Sequence, residues 1–282
     1  MNAKRPKVLC PRVNVLCFSG HDPTGGAGIQ ADIETIAALG GHALTVITAY
    51  TVQDTANVSR VAAPEPALFK AQIEALLADC QVDAIKIGLL GSARQIPVLV
   101  EVIRRLHVPV VLDPVLRAGG GKNLVSARFL RELKTKLLPR VDVLTPNAAE
   151  ARRLAPNAAP SASAGGNSSF SMTPAATTLD TCGIALLKCG AKNVLITGGD
   201  EPGKDAVNSW HAIGRAPRRF VWPRLPQRFH GAGCTLASAI AVRLAQEHSM
   251  AAALQDAQAY THETLMRAHK IGHGRLAPGR IR

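Results

Sequence analysis

A cysteine lies at the start of a predicted helix, directly after a glycine-rich turn. The segment HGAGCTLASAIA places Cys234 behind Gly231, Ala232 and Gly233. The free backbone N–H groups of a helix N-terminus bind anions, and the positive end of the helix dipole strengthens that binding. The same position lowers the pKa of a thiol, which suits a general base or a nucleophile. We therefore predict that Cys234 is catalytic, the alternative being a buried, inert cysteine.

Carboxylate and amide side chains follow two other apolar runs. Asp113 ends the run PVVLD, where an unpaired carboxylate would be costly, so it needs a cation, a helix N-terminus or hydrogen-bond donors. Asn147 and Glu150 in TPNAAE lie three residues apart at the start of a predicted helix and therefore share one face. Such a pair fits a helix cap with its capping box, or a hydrated Mg²⁺ that takes only one or two carboxylates. The residues alone leave both interpretations open.

The elements that would position these side chains alternate regularly along the chain. Six apolar runs of strand length are continuous, which predicts strands buried on both faces, as in a parallel sheet. These runs are 13–19, 44–50, 83–88, 109–113, 141–145 and 193–197. Segments with helical period separate them, which predicts an α/β fold with right-handed crossovers. The segments 205–214 and 218–223 alternate in polarity and predict a small antiparallel hairpin at one edge of the sheet.

Each of the predicted parallel strands is followed by a polar or glycine-rich turn. Ligands of open α/β sheets bind outside the carboxyl ends of the strands, so we expect these turns to form one active site. A second glycine-rich turn, GGAG at 25–28, also precedes a helix. Neither glycine-rich turn matches the P-loop or the dinucleotide fingerprint, and tight helix–strand packing is an alternative role for each of them.

Composition excludes several classes of protein. The 282 residues contain no apolar run near the roughly 20 residues that span a bilayer, so we expect no membrane association. Six cysteines without a C-x-x-C pair predict reduced thiols and a cytoplasmic location. The net charge is +13, but the basic residues are scattered and only two Trp and two Tyr could stack on bases, which argues against nucleic acid. We interpret the charge as a basic, Arg-rich background, the alternative being an attraction toward phosphorylated small molecules.

One segment interrupts the alternation of strands and helices. Residues 156–180 are rich in Ala, Ser, Gly, Asn and Pro, a composition that cannot support a packed core. The same strand–helix pattern resumes after it. We therefore predict a flexible insertion in a single domain that spans residues 1–282, the alternative being a linker between two domains.

Six motifs occur in an order that resembles one enzyme family. They are SGHDPTGGAGIQADIETIAALGGHALTVITAYTVQDT, IKIGLLGS, VVLDPV, TPNAAEA, VLITGGD and HGAGCTLASAIA. From residue 14 to residue 275, outside the insertion, the chain resembles the hydroxymethylpyrimidine and phosphomethylpyrimidine kinases of thiamine biosynthesis, in the ribokinase-like superfamily. Sugar and nucleoside kinases of that superfamily usually carry Asp where this chain has Cys234, so the cysteine resembles the pyrimidine branch.

The resemblance implies a fold, a reaction and its cofactors. The fold is a three-layer α/β/α sandwich around a mostly parallel sheet. The reaction transfers the γ-phosphoryl group of ATP, with Mg²⁺, to the hydroxymethyl oxygen of 4-amino-5-hydroxymethyl-2-methylpyrimidine. A second transfer converts the resulting monophosphate to the diphosphate. The implied partners are this aminopyrimidine alcohol, its monophosphate and, in a homodimer, a second copy of the chain.

The resemblance also assigns roles to individual residues. The thiolate of Cys234 accepts the proton of the alcohol, and the turn before it binds the transferring phosphoryl group. The positions that match the pyrimidine pocket are Gly20, Asp22, Ala27, Gln53, Leu89 and Val115. Those that match the nucleotide site are Asn147, Thr197 and Gly199. Asp113 and Glu150 match the positions that organise Mg²⁺ through water.

Four departures from the family pattern concern mainly the phosphate contacts. Thr197 stands where many relatives have Lys, which removes one cation. LRAGGGK follows DPV in place of M-x-A-K-S-G, so Arg117, Lys122 or a glycine lid would replace a phosphate contact. Leu89 replaces a common Met, and Ala232 replaces a common Thr. Two alternatives therefore stay open, a pyridoxine-type vitamin kinase and a ligand-sensing relative without turnover.

Overall fold

A nine-stranded sheet forms the centre of the computed structural model, which describes residues 12–116, 126–155 and 178–281. The strands within these ranges are β1 (Asn14–His21), β2 (His42–Gln53), β3 (Val58–Ala62), β4 (Ala84–Ile87), β5 (Val110–Leu112), β6 (Val143–Leu144), β7 (Asn193–Ile196), β8 (Asp205–Ala212) and β9 (Arg218–Pro223). Their order across the sheet is β3-β2-β1-β4-β5-β6-β7-β8-β9. Neighbouring strands from β2 to β7 are parallel, whereas β3 pairs antiparallel with β2 and β8 with both β7 and β9.

The helices connect these strands and cover the sheet. They are α1 (Gly28–Ala38), α2 (Pro66–Asp79), α3 (Gln95–Leu106), α4 (Ala127–Glu132), α5 (Ala148–Leu154), α6 (Leu179–Lys188), α7 (Ala232–Ala245) and α8 (Met250–Met266). Helix α4 continues through a wider π-helical turn and a short 3-10 turn as far as Arg140. In the ranges that the structure describes, no helix is both long enough and apolar enough to cross a membrane.

Each face of the sheet packs against its own set of helices. Leu16 and Phe18 of β1 belong to a core formed with α2, α3, α4, α5 and α6. Val15 and Cys17 of the same strand belong to a second core, formed with α1, α7 and α8. The continuous apolar runs of the sequence therefore mark strands that are buried on both faces. The predicted three-layer α/β/α fold with its mostly parallel sheet and antiparallel edge hairpin is confirmed.

Strand β3 is absent from the sequence-based prediction. Its five residues, VSRVA, are half-buried or exposed and pair with the end of β2 at one edge of the sheet. An edge strand of this kind needs neither a continuous apolar run nor strict alternation, because it is covered on only part of its surface. Its existence depends on pairing with β2, which no local pattern reveals.

The predicted insertion at 156–180 overlaps the start of α6. The Thr178 hydroxyl caps this helix by accepting a bond from a backbone N–H, and helical structure begins at Leu179. The last three residues of the predicted insertion therefore belong to the capped helix. The rest of it lies outside the described residues, as do the candidate phosphate ligands Arg117 and Lys122. The flexible insertion stays a prediction.

Candidate active site

A cleft of about 910 Å³ opens at the carboxyl ends of the parallel strands. Its size is that of a small-molecule site. The residues of its wall that the sequence analysis singled out are Ala27, Asp113, Val115, Asn147, Glu150, Thr197, Gly199, Gly231, Ala232, Gly233 and Cys234. The turns after β1, β5, β6 and β7 and the start of α7 thus meet at one place, as the positions of the strand ends predict. The turns after β2 and β4, which the sequence predicts at the same site, do not line this cleft.

Four of the predicted pyrimidine-pocket residues do not form part of this wall. Gly20 and Leu89 lie against each other, since a Cβ atom on Gly20 would be 3.0 Å from Leu89 Cδ2. Gln53 ends β2, where it pairs with Val58. The fourth, Asp22, is described separately below. Direct contact of these residues with a substrate stays a prediction.

The turn before Cys234 requires glycine at its first position. Gly231 has a φ of 93°, in the left-handed region, and a Cβ atom there would overlap the carbonyl oxygen of Gly26. Helix α7 begins immediately afterwards without a side-chain cap. On the facing side, Asp113 Oδ2 would lie 3.3 Å from a Cβ atom on Gly233. The carboxylate of Asp113 therefore faces the positive end of α7.

The structure contradicts the prediction that the thiol of Cys234 has a lowered pKa. Burial raises the pKa of this thiol to about 11. The charge of Lys86 and the N–H of Gly28 act in the opposite direction, but Asp113 and Asp32 raise the pKa further. The helix start is present, yet desolvation and two nearby carboxylates outweigh its effect. Cys234 is therefore a neutral thiol at rest, and it remains partly accessible from the cleft.

Asp113 and Glu150 are buried carboxyl groups with raised pKa values. Burial raises the pKa of Asp113 to about 6, although Lys86 and a hydrogen bond with Cys234 act against the shift. Burial raises the pKa of Glu150 to about 8, and the charge of Asp113 adds to the effect. The charge of Asp113 thus makes ionisation of Glu150 less favourable, and the charge of Asp32 does the same to Asp113.

Asn147 and Glu150 form the capping box that the sequence left open as one alternative. Asn147 Oδ1 accepts a bond of 2.9 Å from the N–H of Glu150, and Glu150 Oε2 accepts one of 3.0 Å from the N–H of Asn147. Glu150 Oε1 also accepts a bond of 3.2 Å from the N–H of Leu116. The carboxylate therefore caps α5 and supports the turn after β5 at the same time.

The donor set fits a hydrated Mg²⁺ as well, because capping does not use all of the lone pairs of Glu150. Each of its oxygens accepts one backbone bond and keeps a second lone pair. A divalent cation near Asp113 and Glu150 would offset their mutual repulsion. Among the described residues, no three His, Cys, Asp or Glu side chains form a metal-binding group. Magnesium here would therefore keep mostly water and substrate oxygens as ligands.

The raised pKa of Glu150 predicts how stability changes with pH. The folded protein holds the proton of Glu150 more tightly than the unfolded chain does. The contribution of this proton to the unfolding free energy is therefore complete below the ordinary Glu pKa and disappears as pH rises through about 8. We expect E150Q to lose less unfolding free energy than the wild type between about pH 5 and pH 9. Urea unfolding at a series of pH values measures this, with E101Q on the exposed side of α3 as the control.

Magnesium should reduce the same difference, because it offsets the buried charge. We expect added Mg²⁺ to stabilise the wild type above about pH 8 more than it stabilises E150Q. Parallel pH slopes for the wild type and E150Q would contradict the raised pKa of Glu150. An equal effect of Mg²⁺ on the two proteins would leave Glu150 as a helix cap only.

Asp22 organises the loop 22–27 between β1 and α1. Its Oδ1 accepts bonds of 2.9 Å from both the N–H and the hydroxyl of Thr24, and its Oδ2 accepts one of 2.8 Å from the N–H of Ala27. Nε2 of His230 lies 2.8 Å from the same Oδ2. Burial alone would raise the pKa of Asp22, but its bonds with His230 and Thr24 hold it below its ordinary value. The carboxylate therefore supports the loop, a role that the sequence analysis did not assign.

A buried ion pair beneath the cleft also escaped the sequence analysis. Nζ of Lys86 on β4 lies 2.8 Å from Oδ1 of Asp32 on α1, and both side chains are fully buried. Ser19 Oγ lies 2.8 Å from the same Nζ, and Ser238 Oγ of α7 donates to Asp32 Oδ1 at 2.7 Å. The cluster thus joins β1, β4, α1 and α7. A lysine inside the apolar run DAIKIG is the signal that a buried partner exists.

Lys86 is the positive charge behind the reactive side chains of the cleft. Burial by itself would lower the pKa of Lys86, but Asp32 and, to a lesser extent, Cys234 and Asp113 raise it above its ordinary value. The ammonium group is therefore charged, and it lowers the pKa of both Cys234 and Asp113.

A comparison with solved structures identifies the class of protein. The chain is similar to a pyridoxal kinase from Staphylococcus aureus that was solved in complex with AMP-PCP and pyridoxal. The TM-score is 0.81 at 25% sequence identity, over 96% of this chain and 95% of that one. The protein is therefore a kinase with an α/β fold, which confirms the prediction of a phosphotransferase.

Comparisons of sequence identify the family. A family model described as phosphomethylpyrimidine kinase matches residues 22–278. The hydroxymethylpyrimidine/phosphomethylpyrimidine kinase of Escherichia coli K12 is 35% identical over 93% of this chain and 95% of its own length. The thiamine biosynthesis bifunctional protein ThiED of Geobacter sulfurreducens is 40% identical over 94% of this chain, which spans about half, 51%, of that relative. The chain belongs to the phosphomethylpyrimidine kinase family, as its motifs predict.

Proposed function

We propose that the protein uses ATP to phosphorylate 4-amino-5-hydroxymethyl-2-methylpyrimidine and then converts the monophosphate to the diphosphate. One observation carries the proposal: the turn before Cys234 lies beside Asp113 in the wall of a cleft that Ala27, Val115, Asn147 and Thr197 also line. The family match over residues 22–278 supports the same substrate class. The homodimer and the cytoplasmic location expected from the sequence are part of this proposal.

The turn and Cys234 supply the chemistry of the transfer. The alcohol oxygen forms a bond to the γ-phosphorus while the bond from that phosphorus to the leaving ADP oxygen breaks. The N–H groups at the start of α7 stabilise the charge on the transferring phosphoryl group. Sγ of Cys234, as a thiolate, accepts the alcohol proton and becomes a thiol. Because the pKa of the thiol is about 11, only a small fraction of the enzyme holds the thiolate at neutral pH.

Asp113 and Glu150 would hold Mg²⁺ through water beside the transferring group. When bound, the ion supplies positive charge that neutralises the phosphate oxygens. Asp113 also accepts a hydrogen bond from Cys234, so it fixes the position of the thiol beside the turn. Glu150 keeps α5 and the turn after β5 in place through its backbone bonds.

Arginine side chains near the turn compensate for the missing lysine at Thr197. Arg228 and Arg275 line the cleft together with Thr197. Arg224 is engaged elsewhere, since it donates bonds of 2.6 Å to the carbonyl oxygen of Glu201 and 2.7 Å to that of Gly203 in the loop after β7. Besides Arg224, the wall carries Arg153, Arg228 and Arg275, and we assign these three side chains to the nucleotide phosphates.

A substrate panel tests the proposed reaction. With ATP and Mg²⁺, we expect mass spectrometry to show the monophosphate and then the diphosphate of the hydroxymethylpyrimidine, because the chain belongs to the phosphomethylpyrimidine kinase family. Pyridoxine and pyridoxal serve as competing alcohols, since the pyridoxal kinase shares the fold. Turnover of pyridoxine or pyridoxal alone would replace the proposal with a vitamin kinase, and ligand binding without any product would indicate a sensor.

A further inference from the structure

Arg280 lies behind the active-site turn, in the segment that follows α8 and outside every motif discussed above. Its side chain is 1% exposed. Nε donates a bond of 2.8 Å to the hydroxyl of Thr235, and Nη2 donates to the carbonyl oxygen of Gly26. Nη1 lies 3.0 Å from Oε2 of Glu34. A guanidinium group has donors in a rigid planar fork and can hold three acceptors in one relative position.

The two inner acceptors belong to the two halves of the candidate site. Gly26 lies in the loop 22–27, and Thr235 lies in the first turn of α7. Thr235 Oγ1 in turn donates a bond of 2.8 Å to the carbonyl oxygen of Gly231. A Cβ atom on Gly231 would lie 2.6 Å from Nη2 of Arg280, so the guanidinium group contacts the glycine turn directly. One side chain therefore connects the loop to the turn.

We propose that Arg280 is a positioning residue for phosphoryl transfer. It holds the loop 22–27, which carries Ala27 on the substrate side, in register with the turn that carries Cys234. This role rests on the proposed function, because it requires one substrate beside the loop and the phosphoryl group beside the turn. Arg280 does not line the cleft itself, so it affects the reaction indirectly, through its contacts with Gly26, Thr235 and Gly231.

The backbone of Arg280 is anchored independently of its side chain. The hydroxyl of Tyr260 donates a bond of 3.0 Å to the carbonyl oxygen of Arg280. The N–H of Gly279 donates one of 2.9 Å to the carbonyl oxygen of Thr264. A change of the Arg280 side chain therefore leaves these anchors present, and Y260F weakens an anchor without removing the guanidinium group.

Separate measurements of rate and of binding test this role. We expect R280A to lower kcat by about 10²-fold, because misplacement by about 1 Å has an effect of that size, while the Kd values for the pyrimidine and for an ATP analogue change by less than about threefold. R280K keeps the charge but not the fork, so its kcat should lie between those of R280A and the wild type. T235V removes the hydroxyl between Arg280 and Gly231 and should lower kcat less than R280A does. The double variant R280A/T235V should show little further loss of kcat beyond that of R280A.

Hydrogen exchange gives a readout that does not depend on the reaction. R280A should speed amide exchange in the loop 22–27 and in the first turn of α7, and Y260F should leave both kcat and these amides near wild type. The proposal would be overturned if kcat fell equally in Y260F and R280A, or if kcat of R280A stayed within about threefold of the wild type. If R280A does not fold, R280K and T235V decide by the same criteria. The wild type could fail to phosphorylate the pyrimidine while R280A still speeds amide exchange in both segments. In that case the proposed function is wrong, but Arg280 still couples the loop 22–27 to the first turn of α7.

Discussion

Replacement of Cys234 with serine is expected to lower kcat by about 10²–10⁴-fold, the usual contribution of a positioned acid or base. A serine hydroxyl is of similar size and can hydrogen-bond to Asp113, so fold and substrate binding should persist. It loses its proton far less readily than a thiol, so it cannot accept the alcohol proton at neutral pH. Steady-state kinetics and separate binding measurements distinguish the two effects.

The pH dependence of the rate makes the prediction for Cys234 sharper. The pKa of the thiol is about 11, so the thiolate fraction should rise as pH increases toward that value. We expect kcat of the wild type to increase above neutral pH and the serine variant to lack this increase. Glu150, with a pKa of about 8, ionises in the same range in both proteins, so the comparison isolates the cysteine.

Alkylation provides a second measurement at the same atom. Iodoacetamide should inactivate the enzyme in step with labelling of Cys234, faster at higher pH, and bound pyrimidine should protect it. C234D should recover part of the rate and remove the alkaline dependence, since a carboxylate ionises at lower pH. A serine variant within about threefold of wild type would leave Cys234 as a packing residue. Asp113, with a pKa of about 6, would then be the next candidate for the proton acceptor.

The sheet and the position of the cleft were predictable because their signals are local. Residues 15–18 alternate between two buried faces, so the run is apolar throughout, and only a strand inside a layered fold requires that. The polar turns after these runs converge because parallel strands end at the same edge of the sheet. Asp113 and Cys234 meet there for this reason, although they belong to distant segments.

The proton affinities of the same residues could not be predicted, because they depend on tertiary surroundings. The helix start before Cys234 is visible in the sequence, but its desolvation and its distance from Asp113 and Asp32 are not. Arg280 was not predicted for a related reason. Two of its partners are a backbone carbonyl and a threonine hydroxyl, and neither produces a recognisable pattern in the sequence. Lys86 was also missed, although a charge inside an apolar run is a local signal that a buried partner exists.

Replacement of Lys86 with methionine should cause the largest loss of stability. The variant leaves Asp32 buried and without its cation, and breaking a buried ion pair by removal of one partner costs about 3–5 kcal/mol of unfolding free energy. Bonds from Ser19 and Ser238 remain, but hydroxyl donors do not neutralise a full charge. Chemical denaturation at neutral pH measures the loss, provided that unfolding is two-state.

Two further variants separate this effect from the loss of any lysine. K192M breaks the bond of 2.8 Å between Lys192 and Asp142, but Lys192 is 65% exposed, so the expected cost is at most about 1 kcal/mol. The double variant K86M/D32N removes both buried charges and should be more stable than K86M alone, because no unpaired carboxylate remains. If K86M costs no more than K192M, the pair beneath the cleft contributes nothing beyond a surface contact. With K86M folded, alkylation of Cys234 at alkaline pH should slow, because the ammonium group that lowers the pKa of the thiol is gone.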